Sequence, residues 1–237
     1  MAERNSDGGF LKFIPFEIKT GEENMQIDSD LLENAIKEQL KEPIFRLYGW
    51  KPACISLGRN QKDDFVDTQL LKENNIDTVR RLTGGRALLH DNEITYSFVC
   101  SMSYLKNGEN VVASYKEISQ ILIDAFKKLD IELDFGGGRK PQGHKDYCML
   151  VSTGADLCYQ GKKLIGSAQF RKNGYILQHG SILFDYDEKL LEKIFHEKVD
   201  SSSIISIKEI NPKITKDDII LSLSQTFRNC HWYRHRS

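Results

Sequence analysis

Along Phe10-Leu-Lys-Phe-Ile-Pro-Phe-Glu-Ile-Lys19 aromatic and β-branched residues predict a strand, with Pro15 marking an edge or a bulge. The period then lengthens: Leu31, Leu32, Ala35, Ile36 and Leu40 recur at helical spacing from Asp28 to Glu42, and Lys41-Glu42-Pro43 ends the pattern. Short apolar runs at 44–48, 53–57, 78–81 and 94–101, parted by Gly, Pro and Asn/Asp turns, predict strands. Ser114-Tyr-Lys-Glu117 reads as a capping box, and Ile118, Ile121, Leu122, Ala125, Phe126 and Leu129 line one face of the helix it opens. After a loop at 136–143 come strand-like runs at 147–151, 155–159, 164–169 and 175–184, with Gln160-Gly161 as a hairpin turn. Residues 188–196 and 216–227 return to helical spacing, the latter opened by Thr215-Lys-Asp-Asp218. Strands and helices fall in blocks. That favours an α+β fold, a mostly antiparallel or mixed sheet with packed helices, as one domain over 1–237 in which about 198–237 forms a small C-terminal helical lobe.

Composition removes several function classes. The 237 residues carry 33 Lys and Arg against 34 Asp and Glu, so a net charge of -1 offers no basic field for a nucleic-acid backbone. Five scattered cysteines, Cys54, Cys100, Cys148, Cys158 and Cys230, form no C-x-x-C pair, which argues against a disulfide framework and a zinc ribbon and for a reducing compartment. The N-terminus lacks an apolar leader and no run approaches the ~20 apolar residues a bilayer span needs, so a cytoplasmic protein without membrane contact is expected. Cys230, His231 and His235 lie close in the tail, but a metal site needs a further ligand, so no metal is expected and the tail reads as a surface end.

Four segments hold candidate chemistry. Arg80-Arg-Leu-Thr-Gly-Gly-Arg-Ala-Leu-Leu-His-Asp91 gathers Arg80, Arg81, Thr83, Gly84, Gly85 and His90 between two strand-like runs. The glycines permit a close backbone approach to an oxyanion and the arginines suit an acid or phosphate; a tight turn with solvated arginines is an equal alternative. Lys163-Leu-Ile-Gly-Ser-Ala-Gln169 brings a lysine into the small-residue stretch Gly166, Ser167, Ala168, where a ligand could lie on the backbone, although a surface lysine is the default. Cys148 alone reads as a small buried hydrophobe, but a nearby ammonium would favour its thiolate and make it a nucleophile. His179, in Gln178-His-Gly-Ser181, reads as a hydrogen-bonded core histidine before a catalytic one. Gly136-Gly-Gly-Arg-Lys suits an anion nest or, more simply, a surface loop, and neither it nor any other segment has a P-loop ending.

The Arg80–Asp91 motif, Glu93-Ile-Thr-Tyr-Ser97, Gly161-Lys-Lys-Leu-Ile-Gly-Ser-Ala-Gln169 and Leu177-Gln-His-Gly-Ser-Ile-Leu183, in this order, resemble the biotin/lipoate protein ligase and transferase superfamily. Met25-Gln-Ile-Asp28 and Ser56-Leu-Gly-Arg-Asn-Gln61 fit the same pattern, so the resemblance runs from about residue 10 to about 225 and implies that family's catalytic-domain fold. Within it the chain is most similar to the cysteine-dependent octanoyltransferases. That resemblance implies transfer of octanoyl from acyl carrier protein to a lysine of a lipoyl domain, such as the glycine cleavage H protein, by a monomer that needs no cofactor. It puts the thioester on Cys148 and the activating ammonium on Lys163, fifteen residues on, with the motif residues Arg80, Arg81, Thr83, Gly84, Gly85, His90, Gly166, Ser167, Ala168 and His179 around substrate. Cys158 does not match. Met149-Leu150 follows Cys148 where the family commonly has an aromatic residue, and the chain leaves no room for the extra C-terminal domain common in the ligases. The alternatives are an ATP-dependent lipoate ligase, an amidotransferase between lipoyl domains, and a binding module that carries no chemistry.

Overall fold

Thr20-Gly-Glu-Glu23 sets the first helix: the Thr20 hydroxyl accepts the Glu23 amide while the Glu23 carboxylate accepts the Thr20 amide and hydroxyl, a reciprocal cap. The computed structural model describes residues 3–4, 10–137, 147–150 and 154–229. In chain order its elements are β1 (Glu3–Arg4), β2 (Phe10–Lys19), α1 (Gly21–Lys37), β3 (Ile44–Trp50), β4 (Ala53–Leu57), α2 (Thr68–Glu73), β5 (Ile76–Arg80), β6 (Leu88–His90) and β7 (Glu93–Ser101). Then follow α3 (Val111–Lys127), β8 (Asp134–Phe135), β9 (Leu157–Tyr159), β10 (Lys162–Lys172), β11 (Tyr175–Leu183), α4 (Glu188–Phe195), α5 (Ile207–Ile210) and α6 (Lys216–Asn229). An eight-stranded sheet runs β1-β2-β3-β7-β11-β10-β9-β8, antiparallel throughout except for β2 beside β3. A second sheet, β5-β4-β6, pairs β4 parallel to β5 and antiparallel to β6. This is the α+β, mixed-sheet arrangement expected from the pattern.

The side-chain alternation of β7 explains the layering. Ile94, Tyr96, Phe98 and Cys100 face a core shared with Ile118, Leu122 and Phe126 of α3 and Leu223 and Phe227 of α6, where Phe227 stacks on Phe45 at 4.9 Å. Residues of the opposite parity, Thr95, Ser97 and Val99, are buried too, Val99 beside Leu32 and Ala35 of α1. Cross-strand register carries this second face across the sheet: Arg46 opposes Ser97, which opposes His179, which opposes Ala168. A buried row of polar side chains is costly unless every member is bonded, so this face is where a site is to be sought.

Several boundaries differ from the sequence pattern for local reasons. Helix α1 starts at Gly21, not Asp28, because its first turns bury polar Asn24 and Asp28 and so lack an apolar stripe; it ends by Glu38, where Gln39 turns left-handed (φ 50°). Asn110, not Ser114, caps α3 through its acceptance of the Ala113 amide, and Ser114 sits inside the helix with its hydroxyl donating to Val111 O. Helix α2, capped by Asp67, is a short element the period did not disclose. The 147–151 run is no strand: Tyr147 makes one bridge to Ala87, and Cys148–Leu150 is a 3-10 turn. The Gln160-Gly161 hairpin turn is present, with φ 49° and 79°.

Candidate active site

β10, the loop after β5 and the 3-10 turn at Cys148 enclose a cavity of about 650 Å³. Cys148 stands on its wall, half-buried, with its amide donating to Ala87 O at 2.8 Å. Opposite, the hairpin brings Lys163 back from β9 and buries its side chain. Its ammonium donates to Cys148 O at 3.1 Å, reaches Cys148 Sγ at 3.9 Å and pairs with Asp156 at 3.1 Å. The other Asp156 oxygen accepts the Ser167 amide at 3.3 Å. Gly166 leaves the room this lysine needs: a Cβ there would stand 3.0 Å from Lys163 Cε and 3.2 Å from Met149 Sδ. Ser167 and Ala168 continue the cavity wall, and the Tyr115 hydroxyl, also on the wall, accepts the Gln169 amide at 2.6 Å.

The Gly-Gly loop is built around Arg81. Its Nε donates to Thr83 Oγ1 (3.1 Å), Nη1 to Ser56 O (2.7 Å) and Ser56 Oγ (3.1 Å), and Nη2 to Gly84 O (2.9 Å) and Arg86 O (2.7 Å). A guanidinium has five N–H groups, and all five are engaged here, each with a neutral oxygen. Gly85 lies at φ 98°, and Gly58 packs so closely on it that a Cβ would fall 1.9 Å from Gly85 O.

Two chains of one composition, acid, imidazole and hydroxyl, meet at this guanidinium. Thr83 Oγ1 lies 2.7 Å from His179 Nε2, whose Nδ1 lies 3.2 Å from Asp28. Ser56 Oγ lies 2.8 Å from His90 Nε2, whose Nδ1 lies 3.6 Å from Glu93. Each hydroxyl already receives an N–H from Arg81 and so donates its own proton to the Nε2 it faces; the Nδ1 of His179 then donates to Asp28, whereas the Nδ1 of His90 lies beyond hydrogen-bond distance of Glu93. Burial pulls the His90 pKa down against the pull of Glu93, which keeps the ring neutral where it stacks on Trp50 at 3.9 Å. Burial alone would raise the Asp28 carboxyl, but His179, Arg46 and Tyr48 outweigh it and hold it below the ordinary range.

Of the motif residues, Cys148, Lys163, Arg81, Gly84, Gly85, His90, Gly166, Ser167, Ala168 and His179 share the cavity wall. Thr83 is buried beneath it. Arg80 stands outside, its guanidinium donating to Gly58 O (2.8 Å) and Gln61 O (2.7 Å) and bracing that loop. Among the described cysteines Cys148 alone is partly open; Cys54, Cys100 and Cys158 are buried, and burial pushes the Cys54 thiol up to about 12. Sequence reasoning missed Asp156, Ser56 and Glu93 as members of the site. The hairpin turn at Gln160-Gly161 was the usable signal for Asp156, because it folds 156 back toward 166. The tail cysteine and histidines and most of the 136–143 loop lie outside the described residues. Among the described residues no group of His, Cys, Asp and Glu suits a metal, and no helix is long and apolar enough to cross a membrane.

Comparison with known proteins places these features. Residues 20–228 match the family model described as the lipoyl protein ligase A/B catalytic domain. The octanoyltransferase LipM of Carboxydothermus hydrogenoformans is 34% identical over 232 residues, covering 91% of this chain and 86% of its own. The octanoyltransferase LipM of Clostridioides difficile is 38% identical over 182 residues, 75% of this chain and 67% of its own. Among solved structures, a lipoate-protein ligase A bound with ATP superposes with a TM-score of 0.71 at 20% identity, covering 92% of this chain and 83% of that one, a likeness of fold.

Proposed function

The chain belongs to the lipoyl protein ligase A/B catalytic-domain family and is an octanoyltransferase of lipoate biosynthesis, and from that premise we propose that the octanoyl group travels as a thioester on Cys148. The observation that carries this reading is the Lys163 ammonium 3.9 Å from Cys148 Sγ on the wall of a cavity large enough for an acyl chain. The cation favours thiolate over thiol, and the thiolate is the nucleophile.

The thiolate attacks the carbonyl carbon of octanoyl-acyl carrier protein. A new C–S bond forms at Cys148, the carrier's C–S bond breaks, and the carrier leaves as a thiolate that takes up a proton. One thioester is exchanged for another, so the step needs no ATP. A neutral lysine amine of a lipoyl domain then attacks the octanoyl-Cys148 carbonyl. The C–N bond forms, the amine sheds its proton, and Cys148 departs again as a thiolate. Downhill amide formation drives this second transfer. Backbone N–H groups of the Gly84-Gly85 loop, brought to the cavity by the tight Gly58–Gly85 contact, stabilise the tetrahedral oxyanion in each step. Apolar wall residues such as Trp50 and Leu88 offer the chain its surface. The acceptor we favour is the glycine cleavage H protein, and the working form is a monomer.

Intact mass spectrometry on wild type and Cys148→Ala, incubated with octanoyl-acyl carrier protein and no ATP, tests the reading. A gain of one octanoyl group on wild type alone is expected. With active donor and reduced protein, no adduct on either overturns it, and product that demands ATP and free octanoate assigns the cavity to ligase chemistry instead.

A further inference from the structure

Resting on the Cys148 reading, the geometry points to Arg81 as a positioning residue of the transfer: it charges the nucleophile's surroundings and fixes where the nucleophile stands, without contacting substrate through its own donors. Two observations carry this. First, the cations near the site differ in how their charge is met. Lys163 is paired with Asp156 at 3.1 Å and Arg46 with Asp28 at 2.9 Å, so much of each charge is cancelled in contact. Arg81 is buried and gives its five N–H groups to neutral oxygens, and the carboxylates of Asp28 and Glu93 stand beyond an imidazole and a hydroxyl. Its charge is therefore less compensated in contact than those of Lys163 and Arg46; the half-buried Arg86 is the other guanidinium on the wall. Seen from the arginine, burial pulls its pKa below the ordinary value and the Cys148 thiolate offsets only part of that.

Second, Arg81 and Cys148 hold adjoining links of one chain. Arg81 Nη2 grips Arg86 O, and the next carbonyl, Ala87 O, receives the Cys148 amide at 2.8 Å. Tyr147 bridges to the same Ala87. The guanidinium thus sets the loop on which the nucleophile's backbone hangs.

The other titratable and charged groups around Cys148 are Lys163 and Asp156 on the hairpin, Tyr147 beside it, Tyr115 on α3, Arg86 on the loop after β5, and His90 and His179 on the wall. Burial keeps both tyrosines protonated, Tyr115 pushed up to about 12. The test is the pH dependence of iodoacetamide alkylation, read on the Cys148 peptide from about pH 5 to 10, for wild type, Arg81→Gln, Arg81→Lys and the charge-neutral swap Lys163→Met/Asp156→Asn. Each variant's midpoint is compared with that of wild type. Arg81→Gln should raise it by about one unit, and the swap by less. Arg81→Lys should recover part of the midpoint but not the acylation rate, because an ammonium cannot hold Thr83, Ser56, Gly84 and Arg86 together. An unmoved midpoint in Arg81→Gln, or a larger shift in the swap, overturns the proposal. Should Arg81→Gln fail to fold, the swap decides: a midpoint within about one unit of wild type supports the role of Arg81, and a larger rise refutes that role. No acyl donor enters the midpoint measurements, so their outcome is separate from that of the thioester experiment.

Discussion

Asp28 and Glu93 head two chains of the same composition, acid to imidazole to hydroxyl to Arg81, yet the two ends are built differently. Asp28 has both oxygens occupied: Arg46 (2.9 Å) and the Ser97 hydroxyl (2.9 Å) on one, the Tyr48 hydroxyl (2.8 Å) and His179 on the other. Glu93 accepts the Thr95 hydroxyl at 2.7 Å on one oxygen, while the second oxygen and His90 Nδ1 are buried without a hydrogen-bond partner. The contrast teaches where rigidity resides. Asp28 ties α1 to three strands of the large sheet and anchors one side of the guanidinium, whereas the Glu93 side has slack at its acid.

The largest test of that contrast is Asp28→Asn, which strands Arg46 as a buried cation. A loss of about 3–5 kcal/mol in urea denaturation is expected, and a loss near zero would erase the asymmetry. Next come the two hydroxyls. Thr83 Oγ1 is the acceptor of Arg81 Nε, whereas Nη1 keeps Ser56 O when Ser56 Oγ is removed. Thr83→Val should therefore cost more than Ser56→Ala, both within about 1–3 kcal/mol, and the reverse order would break the comparison.

The smallest effect is in pH. The His90 pKa is lowered by burial, so below about 6.5 the unfolded chain takes up a proton that the folded one refuses, and stability falls as pH falls in that window. The Asp28 carboxyl is depressed, so its contribution is complete above about 3.9 and is lost only below that, as pH falls toward its folded value. Urea midpoints between pH 8 and 5 should thus decline by at most about 1.4 kcal/mol per pH unit for the one proton. His90→Gln should flatten that decline, and an equal slope in the variant would remove His90 from the account.

How much of this was legible depended on whether burial was apolar. Strand β4 emerged with its bounds and the β9–β10 hairpin with its turn at Gln160-Gly161, though not its strand ends, because period and turn residues agree there. Helix α1 was found only in its second half, since Asn24 and Asp28 face inward to bind Arg46 and a polar lining has no hydrophobic period. Tyr147-Cys-Met-Leu150 has the composition of a strand, but its one bridge to Ala87 leaves the chain free to turn and present Sγ to the cavity. Resemblance to a family supplied the roles proposed for Cys148 and Lys163. Neither it nor the pattern disclosed Asp156 or the convergence on Arg81, which exist only once residues distant along the chain are folded together.

The loop from Arg81 to Ala87 has a consequence for timing. Its shape depends on a guanidinium held by Ser56, twenty-five residues earlier, so it cannot form until β4 and β5 lie side by side. Until then the Ala87 carbonyl that receives the Cys148 amide has no fixed place. On the proposed reading of Cys148, a nucleophile in its working position is in this sense a certificate of completed folding.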